Sequence, residues 1–140
     1  MAEEVIIQVW FEKGRIFIKT DLENVYSRPL EAFPVLLEAT PQQRANFIIG
    51  RYGDDLRWED LDEDIHISSF YDTVEPDCDN VIAAVFKRFP QLNVSEVART
   101  IGINRSLLSR YIYGIKKPSP KRAEQIIEAI RQLGRDMASI

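Results

Sequence analysis

The sequence has few of the residues that build metal centres and disulfide bonds. Its 140 residues include one cysteine, Cys78, and one histidine, His66. A lone cysteine cannot form an internal disulfide, and the pair cannot supply the nitrogen and sulfur ligands of a structural zinc site. Cys78 is also a poor candidate nucleophile, because His66 is the only imidazole that could activate it. We therefore predict neither thiol chemistry nor a bound metal or cofactor.

Long apolar segments are also missing. The longest apolar run near the start, residues 5–11, is interrupted by Gln8, whereas a membrane-spanning helix needs about 20 apolar residues. The opening residues MAEE lack the basic start of a secretory signal. Because 45% of the residues are hydrophobic and 29% are charged, the chain has the composition of a folded protein. We expect a cytoplasmic protein without a membrane partner.

The common motifs of catalysis are absent as well. The sequence has no Gly-rich phosphate loop, no cluster of metal-ligating residues and no nucleophile motif. Adjacent carboxylates such as Asp62 and Glu63 act as acid and base only where a cleft and a substrate-binding apparatus surround them. We therefore predict that the protein is not an enzyme.

Charged residues are abundant, but the two signs are divided unevenly along the chain. Residues 1–78 hold 7 Lys and Arg against 17 Asp and Glu, and residues 79–140 hold 11 against 5, so net charges of -10 and +6 sum to -4. Such asymmetry suggests two modules with different partners. The polar segment TVEPDCD, residues 73–79, lies where the sign changes and is the expected linker. The predicted domains are residues 1–76 and 77–140.

The first of these domains shows signals for both strands and helices. EVIIQVWF and RIFIKTDL predict an antiparallel hairpin around EKG, and a third strand is expected near residues 25–27. LEAFPVLLEA, residues 30–39, has helical spacing, and Thr40, Pro41 and Gln43 form a capping box for a short helix. Short strands are expected in FIIGRYG, DLRW and DIHI. The domain is predicted to be α+β with antiparallel strands.

The second domain shows helical signals only. Four or five helices fit its pattern, four of them at about residues 80–89, 94–100, 105–113 and 120–133. The predicted fold class is therefore a small α+β domain followed by an all-α domain.

A helix-turn-helix pattern lies in NVSEVARTIGINRSLLSRYIYG, residues 93–114. Asn93, with Glu96 three residues later, begins a helix that Gly102 ends, and Asn104 caps the next helix. The connection is long enough only for a tight turn. The apolar residues expected to join the two helices are Val97, Ala98, Ile101, Ile103, Leu108 and Tyr111, of which small Ala98 permits close approach.

The remaining face of the second helix carries side chains that can read DNA bases. Arg can form a bidentate pair with guanine, and Ser can donate to or accept from either base of a pair. The predicted base-contacting residues are Arg105, Ser106, Ser109 and Arg110.

The next segment, IKKPSPKR, carries four cations in eight residues. Ser119 and Pro120 open another helix, whose N-terminus favours an anion. The cations expected to meet phosphates are Lys116, Lys117, Lys121 and Arg122.

This segment resembles the lambda-repressor-like helix-turn-helix family of bacterial regulators, the xenobiotic-response-element type, over about residues 79–135. The resemblance implies base contacts from Arg105, Ser106 and Arg110, and backbone contacts from Ser95 and residues 113–117, including Tyr113. It departs from the family at Ile112 and Tyr113, where polar residues are usual. The expected function is sequence-specific binding of double-stranded DNA, by a homodimer that reads two half-sites about 34 Å apart.

The stretch DDLRWEDLDEDI, residues 54–65, packs seven carboxylates into twelve positions. Asp60, Asp62 and Asp64 match the first ligands of an EF-hand loop. Ile65, however, stands where the loop needs Gly, and Tyr71 stands where it needs Glu. A calcium site is therefore not expected. The alternatives are a structural role, in which these carboxylates accept from backbone N–H groups of the turn or pair with Arg44 or Arg57, and a surface for a basic partner.

The region TPQQRANFIIGRYGDDLRWEDLDEDIHI resembles a family of uncharacterised bacterial domains with a W-x-x-LDEDI motif. The match runs over residues 4–71, with Arg57 and Glu59 departing from the usual residues. The resemblance implies that genes of this family often lie beside toxin-like genes. This gives the alternative function: an antitoxin-like protein that binds a protein partner and represses its own operon. The candidate partner-binding residues are Trp58, Asp60, Asp62, Glu63 and Asp64, although the core is the preferred place for Trp58.

A further alternative is intramolecular. The acidic domain could dock on the basic one and inhibit DNA binding until a partner displaces it.

Overall fold

The computed structural model describes residues 4–140, and the chain divides into two compact units, one ending at Glu75 and the other beginning at Pro76. The first unit contains antiparallel strands and short helices, and the second contains only helices. The predicted α+β and all-α fold class is confirmed. Within the described residues, no helix is both long and apolar enough to cross a membrane.

The first sheet of the N-terminal unit is an antiparallel meander. It consists of β1 (Ile6–Glu12), β2 (Arg15–Thr20) and β3 (Val25–Pro29), in that order. The β1–β2 turn consists of Lys13 and Gly14, with φ angles of 51° and 72°. Two positive φ angles are typical of the type I′ turn that suits the twist of a hairpin. The predicted hairpin is confirmed.

Residues 30–45 form three short helical segments rather than two. A 3-10 helix covers Leu30–Ala32, followed by α1 (Pro34–Glu38) and α2 (Pro41–Ala45). The helix predicted from the spacing of residues 30–39 is therefore confirmed only from Pro34, which occupies the first turn of α1. It does not extend back to Leu30 because a residue before proline is sterically disfavoured in the helical conformation, and Phe33 has a φ of -128°.

The predicted capping box at the start of α2 is confirmed. The Thr40 hydroxyl accepts a hydrogen bond from the Gln43 backbone N–H at 3.1 Å, and the Gln43 side chain accepts one from the Thr40 N–H at 2.9 Å. The two bonds satisfy backbone donors that the helix itself leaves unpaired.

The second sheet is antiparallel and consists of β4 (Ile48–Ile49), β5 (Asp55–Trp58) and β6 (Glu63–His66). The strand predicted in FIIGRYG is reduced to two residues because the chain turns at Gly50, where a Cβ atom would lie 1.7 Å from the Asp55 Oδ1 atom. A 3-10 helix, Ile67–Phe70, follows. Both sheets contribute to one core, made of Ile6, Ile16, Ile18, Leu30, Leu36, Leu56, Trp58, Ile65, Ile67 and Phe70.

The C-terminal unit contains α3 (Val81–Arg88), α4 (Val94–Ile101), α5 (Arg105–Ile112) and α6 (Pro120–Ala138). The four predicted helices are present, but α6 continues past the predicted end at Leu133. The core of this unit is formed by Ile82, Phe86, Val97, Ala98, Leu108, Tyr111 and Ile126.

The predicted linker begins inside the first unit. Residues 72–79 form no helix or strand. Arg28 is nevertheless buried and donates to the backbone oxygens of Asp72 at 3.2 Å and Val74 at 2.5 Å. Arg15 forms a two-pronged ion pair with Glu75 at 2.8 and 2.9 Å. Two arginines of the first sheet therefore hold the segment that leaves it.

Candidate nucleic-acid interface

The helix-turn-helix is held together by its predicted caps. Asn93 Oδ1 accepts from the Glu96 N–H at 3.1 Å at the start of α4. Gly102 ends that helix in the left-handed region, with φ of 80°. Asn104 Oδ1 then accepts from the Ser106 N–H at 2.7 Å and begins α5. These confirmed caps fix the angle between the two helices through local hydrogen bonds.

The apolar contacts predicted between α4 and α5 are also observed. Ala98 is 1% exposed and Leu108 is fully buried. The other predicted contact residues are buried or pack against the core as partly buried residues: Val97, Ile101, Ile103 and Tyr111. The outward face of α5 is consequently fixed by packing.

Three of the four predicted base-contacting residues remain accessible on α5. Arg105 and Arg110 are exposed, and Ser106 is partly exposed. Ser109 is only 2% exposed, so the prediction that it contacts a base does not hold. It lies beside Leu108 on the side of α5 that packs inward. The candidate base-contacting residues are therefore Arg105, Ser106 and Arg110.

The predicted phosphate-contacting residues lie at helix ends and in the loop between α5 and α6. Ser95 is exposed in the first turn of α4, and Tyr113 is partly buried directly after α5. The cations of the loop and of the first turn of α6 are exposed, except for partly buried Arg122: Lys116, Lys117, Lys121 and Arg122.

Lys117 has an acidic neighbour in its own unit. Its Nζ atom lies 3.4 Å from the Asp77 Oδ2 atom, and both side chains are more than half exposed. The Asp79 backbone N–H and Lys117 together lower the pKa of the Asp77 carboxyl. Exposed pairs of this kind contribute little to stability, so a phosphate can replace Asp77 as the partner of Lys117.

The start of α6 is a ready site for an anion. The Ser119 hydroxyl accepts from the Arg122 N–H at 3.1 Å, and Pro120 occupies the first turn, as predicted. The unpaired N–H groups and the helix dipole at this end favour negative charge. Lys121 adds a cation in the same turn.

Gly114 fixes where the basic loop leaves α5, which the sequence showed only as a glycine after a helix. Its φ is 76°, and a Cβ atom would lie 2.4 Å from the backbone carbonyl of Asp77. The Gly114 oxygen accepts from the Asp77 N–H at 2.8 Å. Backbone contact at this point therefore requires glycine.

A second anchor that sequence reasoning missed is Asn80. Its Oδ1 atom accepts from the Ala83 N–H at 2.8 Å and caps α3. Its Nδ2 atom donates to the Tyr111 oxygen at 3.2 Å. One side chain thus joins the start of α3 to the end of α5. An Asn before an apolar run predicts a helix N-cap, but nothing in the neighbouring sequence predicts the hydrogen bond to the backbone oxygen of Tyr111.

In the N-terminal unit, the acidic stretch surrounds a single arginine. Arg57 lies 2.8 Å from Asp64, 2.9 Å from Asp62 and 3.4 Å from Glu59. The hydrogen bonds that Arg57 donates to Asp62 and Glu59 raise the pKa of its guanidinium. Asp60 accepts instead from Asn46 Nδ2 at 2.6 Å. The predicted pairing with Arg57 is confirmed.

The predicted alternative partner for these carboxylates, Arg44, has another role. It donates to the backbone oxygens of Leu36 and Leu37 at 2.7 and 2.8 Å and so closes the end of α1. Within residues 4–140, no group of three or more His, Cys, Asp or Glu side chains is arranged to hold a metal ion.

Trp58 does not belong to a partner-binding surface. It is fully buried, its indole N–H donates to the Arg44 oxygen at 2.8 Å, and its ring packs on Phe47. The prediction that Trp58 contacts a partner is therefore wrong, and its expected place in the core is right. Of the remaining candidates, Glu63 is partly buried and three are exposed: Asp60, Asp62 and Asp64.

A buried carboxylate in the same unit was not foreseen. Glu4 is 8% exposed. It accepts hydrogen bonds of 2.6 to 3.2 Å from Thr20, Asn24, Tyr26 and Tyr71. These bonds, that of Thr20 foremost, lower the pKa of Glu4 to about 2. The donors are scattered along the sequence, so no local pattern could reveal the cluster.

Two models of known protein families match different parts of the chain. A family model described as Helix-turn-helix matches residues 91–132, and one described as Protein of unknown function (DUF2442) matches residues 6–76. Searches of curated proteins and of solved structures gave no significant match.

The C-terminal part is thus a DNA-binding helix-turn-helix domain of the lambda-repressor-like type. Because the other match covers just over half of the chain, the protein belongs to the DUF2442 family.

Proposed function

We propose that the protein is a sequence-specific regulator of transcription in the bacterial cytoplasm, which places α5 in the major groove of double-stranded DNA. The observation that carries this proposal is the outward face of α5 in a motif fixed by caps and packing. Arg105 and Arg110 are exposed there and suit bidentate pairing with guanine, and Ser106 suits either base.

The surroundings of α5 supply the phosphate contacts that hold such a helix in register. Lys116 and Lys117 follow α5 directly, and Lys121 stands in the first turn of α6. Ser95 and Tyr113 add polar groups at the ends of α4 and α5. Apart from Asp77 beside Lys117 and the nearby Asp79, the acidic residues of the unit lie elsewhere, since Glu96, Glu124, Glu128 and Asp136 line a groove between α4 and α6.

A single unit of this size offers limited surface to DNA. Specific complexes usually bury about 1,000 to 2,500 Å² of protein surface, and proteins of this type bind as dimers to half-sites about one helical turn apart. We therefore propose that a homodimer binds a two-fold symmetric operator.

The first experiment tests base reading. Random duplexes are selected with the wild-type protein and with the Arg105→Ala/Arg110→Ala variant, and the enriched sequences are compared. We expect the wild type to enrich one motif and each single substitution to weaken binding to it by about 1 to 3 kcal/mol. Equal enrichment by the wild type and the double variant would exclude α5 as the reading element.

The second experiment separates phosphate contacts from base contacts. Lys117→Ala and Lys121→Met should each weaken binding to all duplexes alike and reduce the slope of log K against log salt by about 1. Arg135→Met is the matched control, because it removes one positive charge from the last turn of the same helix. If the control changes the slope as much as Lys121→Met, the contact is nonspecific attraction rather than a phosphate site.

We infer a second candidate function, an antitoxin-like or other partner-binding role, from the surface of the N-terminal unit. Ile48 is 59% exposed and Tyr52 is 74% exposed. Ile48 lies opposite Arg57 on the neighbouring strand, beside the carboxylates of the β5–β6 turn. Apolar side chains next to acidic ones favour a protein partner with an apolar and basic face.

This candidate is tested by affinity capture from cells that express the protein. Wild type and an Ile48→Asp/Tyr52→Ala variant serve as bait at low salt. A basic protein that binds the wild type and is lost with the variant supports the role. Val81→Asp, which replaces an exposed residue of the helical unit, is the control. Equal recovery by all three baits would argue against this surface.

A further inference from the structure

Residues 77–80, near the start of the helical unit, are fixed against the C-terminal end of α5. The Asp77 N–H donates to the Gly114 backbone oxygen at 2.8 Å, and the Asn80 Nδ2 atom donates to the Tyr111 backbone oxygen at 3.2 Å. A Cβ atom at Gly114 would collide with the Asp77 backbone, so the two main chains are in direct contact. The backbone of Asp77 therefore has a fixed place beside the loop that follows α5.

The carboxylate of Asp77 lies next to a cation of that loop. Its Oδ1 atom accepts from the Asp79 backbone N–H at 3.0 Å, in a local turn of the kind that aspartate favours. Its Oδ2 atom lies 3.4 Å from the Lys117 Nζ atom. Because the Asp79 N–H and Lys117 both lower the pKa of this carboxyl, Asp77 is ionised at neutral pH. A negative charge thus lies beside a lysine that is expected to meet phosphate.

Lys117 differs in this respect from the neighbouring cations. Lys116 and Lys121 are also exposed, but neither makes an ion pair with the described residues. A carboxylate presents charged oxygen acceptors to an ammonium group, as a phosphate does. We propose that Asp77 is an intramolecular competitor for the DNA phosphate that binds Lys117, and that it lowers the affinity of the protein for duplexes of every sequence.

The competition weakens the phosphate contact without abolishing it. Both side chains of the pair are more than half exposed, and an exposed ion pair is easily broken. The carboxylate cannot move far, however, because the backbone of Asp77 is bound to Gly114. It therefore stays near an incoming phosphate and repels it. Binding depends correspondingly more on the base contacts of Arg105 and Arg110.

Such a competitor suits a protein that must find one site among many. Phosphate contacts supply most of the affinity for nonspecific DNA, and a genome offers a large excess of nonspecific sites. A lysine that is partly neutralised by Asp77 reduces this background binding. This role of Asp77 rests on the function proposed above, because Lys117 is one of its phosphate contacts.

The test compares the full-length wild type with Asp77→Asn. Asparagine keeps the backbone bond to Gly114 and an oxygen for the Asp79 N–H, so only the charge changes. Binding of a fluorescent duplex of random sequence is followed by anisotropy over a series of salt concentrations. Asp77→Asn should bind at least about threefold more tightly at about 50 mM salt, with a steeper slope of log K against log salt. Asp136→Asn removes the same charge from the last turn of α6 and should bind like the wild type.

A double-mutant cycle tests whether the effect depends on Lys117. Asp77→Asn is measured again on a Lys117→Ala background, where competition predicts that most of the gain in affinity disappears. An equal gain on both backgrounds would indicate general repulsion of DNA and overturn the proposal. An unchanged affinity of Asp77→Asn, or an equal gain in Asp136→Asn, would overturn it as well.

These measurements separate the competition from the proposed function. If the wild type selects no DNA motif but Asp77→Asn binds random duplexes more tightly through Lys117, the regulator is refuted and the competition stands. If the wild type selects one motif and Asp77→Asn binds DNA no more tightly than the wild type, the regulator stands and the competition is refuted.

Discussion

The two charged stretches of this protein use their charge in opposite ways. In the turn between β5 and β6, Arg57 gathers three carboxylates, and Asn46 binds a fourth. In the loop between α5 and α6, Lys117 lies near the exposed carboxyl of Asp77, but Lys116 in the loop and Lys121 in the first turn of α6 make no ion pair with the described residues. The first stretch is largely satisfied by its own unit, whereas the second retains positive charge for a ligand. The ion-pair partners of a charged stretch therefore indicate its function better than the number of charges in it.

The same contrast extends to what stabilises each unit. In addition to its apolar core, the N-terminal unit is stabilised by ionic groups, namely Glu4 with its four donors and the arginines that bind its last residues. In addition to its own apolar core, the C-terminal unit is stabilised by local backbone geometry: the side-chain caps at Asn80, Asn93, Asn104 and Ser119, and the glycines that end α4 and follow α5. This contrast can be tested unit by unit.

The largest effect is expected at Gly114, where backbone geometry is under most constraint. Gly114→Ala should destabilise the helical unit by about 2 to 4 kcal/mol, because it combines an unfavourable positive φ with a clash against the Asp77 backbone. Gly102→Ala is the matched control: its φ is also positive, but a Cβ atom meets nothing within 4 Å. It should cost about 1 kcal/mol. Urea unfolding followed by far-UV circular dichroism measures both, and equal losses would mean that the contact with Asp77 is unimportant.

An intermediate effect is expected at Glu4, and it should depend on pH. The pKa of this carboxyl is about 2 in the folded chain against an ordinary 4.5, so the unfolded chain binds the proton more readily. The stabilisation is complete above about pH 4.5 and is lost as the pH falls through about 2. Glu4→Gln should therefore lower the melting temperature most near neutral pH.

The melting temperatures of wild type and Glu4→Gln should converge between pH 4.5 and 2. Glu23→Gln, at an exposed position in the β2–β3 turn, is the control and should melt like the wild type throughout. If the difference in melting temperature between wild type and Glu4→Gln stayed constant down to pH 2, the stabilisation would come from hydrogen bonding and not from the ionised carboxylate.

The smallest effect is expected at Arg57. Arg57→Met leaves the carboxylates of the β5–β6 turn without their cation, and exposed ion pairs of this kind contribute little to stability. We expect a small loss of stability at low salt that shrinks at about 1 M salt, as ions screen the repulsion between the carboxylates. Arg51→Met, at an exposed cation of the β4–β5 turn, should have little effect. A loss insensitive to salt would point to packing rather than charge.

Features encoded within a few residues could be predicted from the sequence. The Thr40 capping box and the asparagine caps of α4 and α5 depend on partners two or three positions away. The division into an α+β and a helical part followed from apolar periodicity and charge. The expected exposure of Arg105 and Arg110 on α5 is confirmed for the same reason.

Features set by packing at a distance could not be predicted. Ser109 has a polar side chain near the edge of the apolar face of α5, and only the tertiary contacts decide that it is buried. Glu4 looks like an ordinary surface acid until strands bring Thr20 and Tyr71 to it. Pro34 indicates that a helix cannot run through Phe33, but the apolar residues have helical spacing on both sides of this position, which favoured one continuous helix.

The contacts of Arg15 and Arg28 with residues 72–75 determine where a fragment of the N-terminal unit can end. Arg28 is buried, and its Nε atom has no acceptor among the described residues, so its only hydrogen bonds there are those to the oxygens of Asp72 and Val74. A fragment that stopped before Asp72 would leave a buried guanidinium without acceptors, which is far more costly than losing an exposed tail. The N-terminal half can therefore be expressed alone only if it extends through Glu75, five residues past the end of its last 3-10 helix at Phe70.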